Sequence, residues 1–161
     1  ILLDGISDPG NLGTIVRAAA ALGAAGVVAG PGCASFANPK VVRASMGSIF
    51  RIPVARTEEL EDIVKQARMS GYDIIVSDVR KGTSADELAW PGPGAGRAIL
   101  AVGSEARGVS EAVCKHATAW VKLDMSRDVE SLNAASAASI LIYVLSRSVA
   151  RWEAVAKACQ P

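Results

Sequence analysis

Residues 1–29 read ILLDGISDPGNLGTIVRAAAALGAAGVVA. The apolar run at 1–4 reads as a strand. Residues 8–11, Asp-Pro-Gly-Asn, read as a turn, and 12–22 as a helix bracketed at its end by Gly23 and Gly26. The apolar residues 26–29 then form a second buried strand. Strand, helix and strand within so short a span is the opening of an α/β domain built on a parallel sheet. The helix is almost wholly alanine and aliphatic, yet it carries one arginine, Arg17, close to a turn rich in Pro, Gly and Asn.

The alternation continues. Asn38-Pro39 reads as an N-cap followed by proline at the first position of a short helix over 40–44. Residues 50–55 are strand-like, 57–69 a charged helix stopped by Gly71, and 72–77 (YDIIVS) a strand. Ser84 to Glu87 fits a capping box on a short helix, and 90–96 (WPGPGAG) is a loop. A strand at 97–102, a loop at 103–108, a short helix at 110–114, a strand at 120–123 and a long helix over 131–158 complete the chain. The pattern predicts a mostly parallel sheet with helices on both faces, which places ligands beyond the carboxyl ends of the strands. There is no internal repeat or low-complexity tract, and 161 residues suit one domain with its own core.

Half the residues are apolar and a fifth charged, which excludes wholesale disorder. Aromatics are only 4%, so the core must come from tight packing of small side chains. The net charge of +1 neither demands nor excludes a nucleic-acid partner. The placement of charge is more informative. Up to residue 56 the bases are Arg17, Lys40, Arg43, Arg51 and Arg56, against Asp4 and Asp8 alone, a local excess that a phosphate backbone would favour. Cys33, Cys114 and Cys159 are odd in number and far apart, and with the single His116 they form no zinc spacing. Free thiols, a reducing cytoplasmic compartment and no metal are expected. No unbroken apolar run could span a bilayer, so no membrane partner is expected. Opening directly on a strand, the sequence reads as a domain cut from a longer protein or as one that has lost a short leader.

Three loops at expected strand ends hold the polar chemistry. In the first, residues 11–17, Asn11 can cap a helix or present its amide, and Gly13 permits close approach of backbone or ligand. Arg17 could reach a phosphate bidentately or snorkel at the surface. In the second, LAVGSEARGVS at 100–110, a strand delivers a glycine, an acid and a second glycine. Backbone groups there could hold an adenine, or the loop could be an ordinary β–α turn. No Gly-Lys-Ser/Thr follows, so it is not a P-loop, and GPGAG at 92–96 follows Trp90-Pro91 rather than a strand. In the third, SLNAAS at 131–136, Ser131 and Asn133 either cap a helix or leave room for a close neighbour. With His116 the sole histidine, a Ser-His-Asp hydrolase is disfavoured.

In this order the three motifs resemble those of the SpoU (TrmH-like) family of RNA ribose 2'-O-methyltransferases in the SPOUT superfamily. The family's N-x-G-x-x-x-R is matched by Asn11, Gly13 and Arg17. Its G-x-E-x-x-G-[IV]-S is matched by Gly103, Glu105, Gly108, Val109 and Ser110, and its S-L-N by Ser131, Leu132 and Asn133. The resemblance implies an α/β domain ending in a trefoil knot, a homodimer, S-adenosylmethionine (AdoMet) as cofactor, and methyl transfer to a ribose 2'-hydroxyl in ribosomal or transfer RNA. It implies a catalytic set of Asn11, Arg17, Glu105, Ser131 and Asn133. Arg17 would clamp a phosphate, with Asn11 and Glu105 orienting it and the ribose. Cofactor contacts are expected from Leu100, Val102, Gly103, Gly108, Leu123 and Met125, largely through backbone, with Leu132 against the adenine. RNA is expected on Arg17, Lys40, Arg43 and Arg51. One stretch departs from the family pattern: Asp124 and Arg127 replace a proline and a glycine before S-L-N. A catalytically inactive RNA-binding relative, and a nucleotide-binding protein acting on a small molecule, are the competing readings. Many relatives carry a separate N-terminal RNA-binding domain, which this sequence does not contain, so the chain is expected to be the catalytic domain alone.

Overall fold

The computed structural model describes residues 1–88, 96–126, 128–129 and 131–158, with side chains described as far as 148. The short apolar runs become parallel strands: β1 Leu2–Asp4, β2 Val27–Ala29, β3 Val54–Arg56, β4 Asp73–Ser77, β5 Thr83–Ser84, β6 Ala98–Gly103 and β7 Ala119–Lys122. They form one sheet in the order β3-β2-β1-β6-β4-β7-β5, and every adjacent pair is parallel. The helices are α1 Pro9–Ala21, α2 Pro39–Ala44, α3 Leu60–Met69, α4 Glu111–Cys114 and α5 Ala134–Ala158. Two 3-10 turns lie at Ser48–Phe50 and Ala85–Glu87.

The alternation of side chains along a strand builds a core on each face. Leu3, Ile75, Leu100, Val102 and Val121 share one cluster with Leu12, Ile15 and Val16 of α1 and with Ala138, Leu141 and Ile142 of α5. Their neighbours Leu2, Ile74, Val76 and Ala101 pack on the opposite face with Leu60 and Val64 of α3 and Val113 of α4. The fold is therefore α/β with helices on both faces, as the alternation predicts. Each fully buried aliphatic side chain contributes about 1.5–3 kcal/mol.

Strand order is what positions the site. β6 occupies the slot between β1 and β4, and β7 the slot between β4 and β5. The register pairs Asp4 with Gly103, Val76 with Ala101 and Ser77 with Val121. The carboxyl ends of β1, β4, β6 and β7, distant in sequence, thus lie side by side.

Several boundaries differ from the sequence reading. Residues 8–11 are not a free-standing turn. Asp8 is the N-cap of α1, its side chain accepts from the Asn11 N–H at 2.7 Å, and Pro9 begins the helix. That is the favoured use of Asp and Pro at a helix entry. β3 begins at Val54, because residues 48–50 form a 3-10 turn after Met46 and Gly47, both at positive φ. α5 starts at Ala134 rather than 131, and the two-residue β5 was not foreseen. A Cβ on Gly13 would lie 2.6 Å from both the Val41 carbonyl oxygen and the Ala44 Cβ. This glycine serves the close packing of α1 on α2, not the approach of a ligand. The loop at 90–95, Arg127 and Cys159 lie outside the described residues.

Cys33 and Cys114 are free thiols, and burial pushes both pKa values up, so neither is poised as a nucleophile. No helix among the described residues is long and apolar enough to cross a membrane. No cluster of His, Cys, Asp and Glu among them could hold a metal ion.

Candidate active site

The loop after β6 is shaped by its two glycines. Gly103 has no room for a side chain, because the backbone of Gly108 and Val109 already fills the space a Cβ would take. Gly108 adopts φ +67°, which only glycine enters without strain. Its N–H closes the loop on the Ser104 carbonyl at 2.8 Å, and the Arg107 N–H reaches the Ser104 hydroxyl at 3.3 Å. The Ser110 N–H, at the N-cap of α4, donates to the Asp4 carboxylate at the end of β1 at 2.8 Å. A tight turn anchored at both ends is left, presenting Glu105.

Glu105 ties the three motifs together. Its Oε1 accepts from Asn11 Nδ2 on α1 at 3.1 Å and from the Ala134 N–H of α5 at 3.0 Å. Asn133 Nδ2 donates to Asn11 Oδ1 at 2.9 Å, and Asn133 Oδ1 accepts from the N–H groups of Ala135 and Ser136 at the start of α5. Asn133 therefore caps the helix with one end of its amide and fixes Asn11 with the other. Asn11 in turn has both ends of its amide assigned, oxygen to Asn133 and nitrogen to Glu105. Three side chains separated by up to 122 positions form one chain of hydrogen bonds.

Beside this chain is a cavity of about 410 Å³ at the strand ends. That volume is ordinary for a small-molecule site. Val102, Gly103, Gly108, Leu123, Met125 and Leu132 line it, as does Ser131, one of the residues expected to be catalytic. Leu100 does not. It lies two residues short of Val102 on the same face of β6 and is spent in the core at 2% exposure. Glu105 is the acid of the hydrogen-bonded chain that also faces the cavity. Sequence reasoning missed the wall formed by Ser77, Asp78 and Arg80, because β4 meets β6 only through the strand order. Asp78 shapes that wall by accepting from the N–H groups of Arg80 and Lys81 at 2.7 and 2.8 Å. Arg107 was also missed.

Asp124 lies in a shallower adjoining cavity of about 440 Å³, not in the first. It pairs with Lys122 at 3.3 Å. A hydrogen bond from Ser84 and then Lys122 hold its pKa below the usual aspartate value.

Arg17 stands apart. It is exposed on α1, one turn past Gly13, and makes no hydrogen bond or ion pair among the described residues. Asn11 and Glu105 bond to each other and to the start of α5, not to Arg17 of the same chain. Lys40 and Arg43 on α2, and Arg51 after the first 3-10 turn, are exposed on the side of α1 where α2 packs.

Residues 1–143 match the model of the SpoU rRNA Methylase family. The chain is 36% identical over 145 residues to the 23S rRNA (guanosine(2553)-2'-O)-methyltransferase RlmP of Bacillus subtilis, covering 90% of this chain and 56% of that one. Among solved structures it superposes with a TM-score of 0.82 and 38% identity on a TrmH-family protein from Porphyromonas gingivalis, over 91% of this chain and 58% of that one. It superposes with a TM-score of 0.80 and 32% identity on the SpoU methyltransferase AviRb of Streptomyces viridochromogenes, solved in complex with AdoMet, over 93% of this chain and 60% of that one. The chain spans about half the length of the curated relatives it matches.

Proposed function

This chain belongs to the SpoU rRNA methylase family, and we propose that it transfers a methyl group from AdoMet to a ribose 2'-hydroxyl of ribosomal or transfer RNA. The observation that carries this reading is the hydrogen-bonded chain Asn133–Asn11–Glu105, which joins the three family motifs at the edge of the 410 Å³ cavity.

The cavity suits AdoMet. Val102, Leu123, Met125 and Leu132 offer apolar walls to an adenine, and the backbone of the Gly103 loop offers hydrogen-bonding edges. Glu105 and Asp78 add negative charge where a cationic sulfonium would be favoured. When bound, AdoMet supplies an electrophilic methyl group. The chain's own work is positioning and charge stabilisation. Asn11, held at both ends of its amide, and Glu105 fix the corner at which the ribose is presented. Arg17 acts as a clamp on the substrate phosphate and stabilises negative charge developing on the 2'-oxygen. Ser131 lines the cofactor side, and Asn133 orients Asn11.

The reading extends to the trefoil knot and the homodimer. The insertion of β6 and β7 between strands laid down earlier, with α5 packed back on α1, is consistent with a threaded carboxyl-terminal segment. Ile140 and Tyr143, 44% and 54% exposed on α5, suit packing against a second copy, with the site completed at the interface. The described α/β unit is then the methyl-transfer unit.

The test is transfer of labelled methyl from AdoMet into total RNA from a strain lacking the protein, followed by mapping of the modified positions. Label at a defined 2'-oxygen is the expected result. Label on a base, or AdoMet binding without transfer to any RNA, would overturn the reading.

A further inference from the structure

Between Asp8 and Glu58 the sequence contains no acidic residue, while it contains Arg17, Lys40, Arg43, Arg51 and Arg56. Arg56 is used within the fold. It donates to the Cys33 carbonyl at 3.0 Å and pairs with Glu58 at 3.3 Å. The other four are exposed and make no ion pair among the described residues. In the middle of this basic stretch sits Phe50, closing the 3-10 turn, with its side chain 81% exposed. Met46, four residues earlier, is 71% exposed and held at φ +49°, a conformation rare for a non-glycine residue. A protein whose aromatics are only 4% of its residues, and whose other chemistry is built from small side chains, leaves one of its two phenylalanines in solvent between Arg43 and Arg51.

The patch is adjacent to the candidate active site. α1 packs on both α2 and the 3-10 turn. Gly13, which seats α2 against α1, is two residues from Asn11 and one helical turn from Arg17. An extended ligand held at Asn11 and Arg17 would run onto this surface.

We propose that Phe50 is a stacking platform for an unpaired base of the RNA substrate, with Arg43 and Arg51 holding the phosphates on either side. An exposed aromatic among cations is how single-stranded nucleic acid is bound without reading its sequence, since every base has a π face and every nucleotide a phosphate. The charge argues against a second copy of this chain as the occupant. A symmetric contact through the patch would oppose bases with bases. The inference rests on the RNA reading of the active site and adds to it the form of RNA recognised: a loop or bulge beside the target rather than continuous duplex.

The test is fluorescence anisotropy with two labelled RNAs, a hairpin with an unpaired loop and a fully paired duplex, at several salt concentrations. Phe50→Ala should lose about tenfold in affinity for the hairpin, equivalent to about 1.4 kcal/mol, with little change for the duplex. Phe50→Trp should restore it. The salt slope should be unchanged in both, because no phosphate contact is removed. Arg43→Ala with Arg51→Ala should instead flatten the slope. AdoMet affinity and Tm should not move. If the wild type binds hairpin RNA and Phe50→Ala binds it equally well, the platform is wrong and the RNA reading stands. If the wild type binds neither RNA, both fall. If Phe50→Ala turns a dimer into a monomer by sedimentation, the residue belongs to a subunit interface and the platform falls.

Discussion

Two corners of this molecule meet along α1 and are built on opposite terms. At the amino end of the helix, Asn11, Glu105 and Asn133 spend their hydrogen bonds on one another and on the start of α5. A few residues on, Arg17 and the bases of α2 make no ion pair among the described residues. The first corner is preorganised: its amides and carboxylate are oriented before any ligand arrives, which is how a site lowers a barrier without reorganising. The second is a set of solvated cations, which a polyanion can engage by displacing counterions. The division matches a reaction with a small cofactor on one side and a long charged substrate on the other.

Gly103 is where stability and activity break together. Gly103→Ala puts a methyl group where the Gly108 and Val109 backbone lies, so the Glu105 loop must move. Destabilisation of about 1–3 kcal/mol is expected from overpacking. Methyl transfer should fall more than about a hundredfold as the corner is misplaced. Thermal unfolding and initial rates measure the two effects, and an active, stable variant would mean the loop is not the positioning element. Asn133 separates capping from orientation. Asn133→Ala should cost about 1 kcal/mol through the lost α5 cap. Asn133→Asp keeps the cap but faces the Asn11 oxygen with another acceptor. Its Tm should return to the wild-type value while transfer stays down about tenfold. Recovery of both would make Asn133 a cap and nothing more.

The smallest effect is expected at Asp124. The hydrogen bond from Ser84 and the Lys122 ammonium lower its pKa in the folded state, so its contribution is present above the ordinary aspartate range. It is lost only as pH falls through the lowered value. A carboxyl NMR titration should give a midpoint below that of a free aspartate. Asp124→Asn should leave Tm at neutral pH nearly unchanged, because the pair is exposed and screened.

Much of this was legible in the sequence, for local reasons. Apolar runs, glycines past helix ends and the Asn38-Pro39 signal mark elements that propensity and capping decide. The carboxyl-end placement of the three motifs follows from the strand–helix alternation. What could not be read is non-local. The insertion of β6 between β1 and β4 alone brings Ser77, Asp78 and Arg80 to the cavity. Leu100 was expected at the cofactor and is in the core, because a strand displays only its last residue or two at its end. Asp8-Pro9 was read as a turn although it is a helix entry, since the same residues favour both. The bonds of Glu105 to Asn11 and to the Ala134 N–H depend on where α5 begins, which no local pattern decides.

The division between the two corners is tested most directly by Arg17→Ala, assayed for AdoMet affinity by calorimetry and for labelled methyl transfer to RNA in the same preparation. The account predicts AdoMet affinity and Tm within error of the wild type, and transfer reduced about a thousandfold by loss of charge stabilisation on the 2'-oxygen. Loss of AdoMet binding would put Arg17 in the cofactor corner. Wild-type transfer would remove it from the reaction and contradict the account.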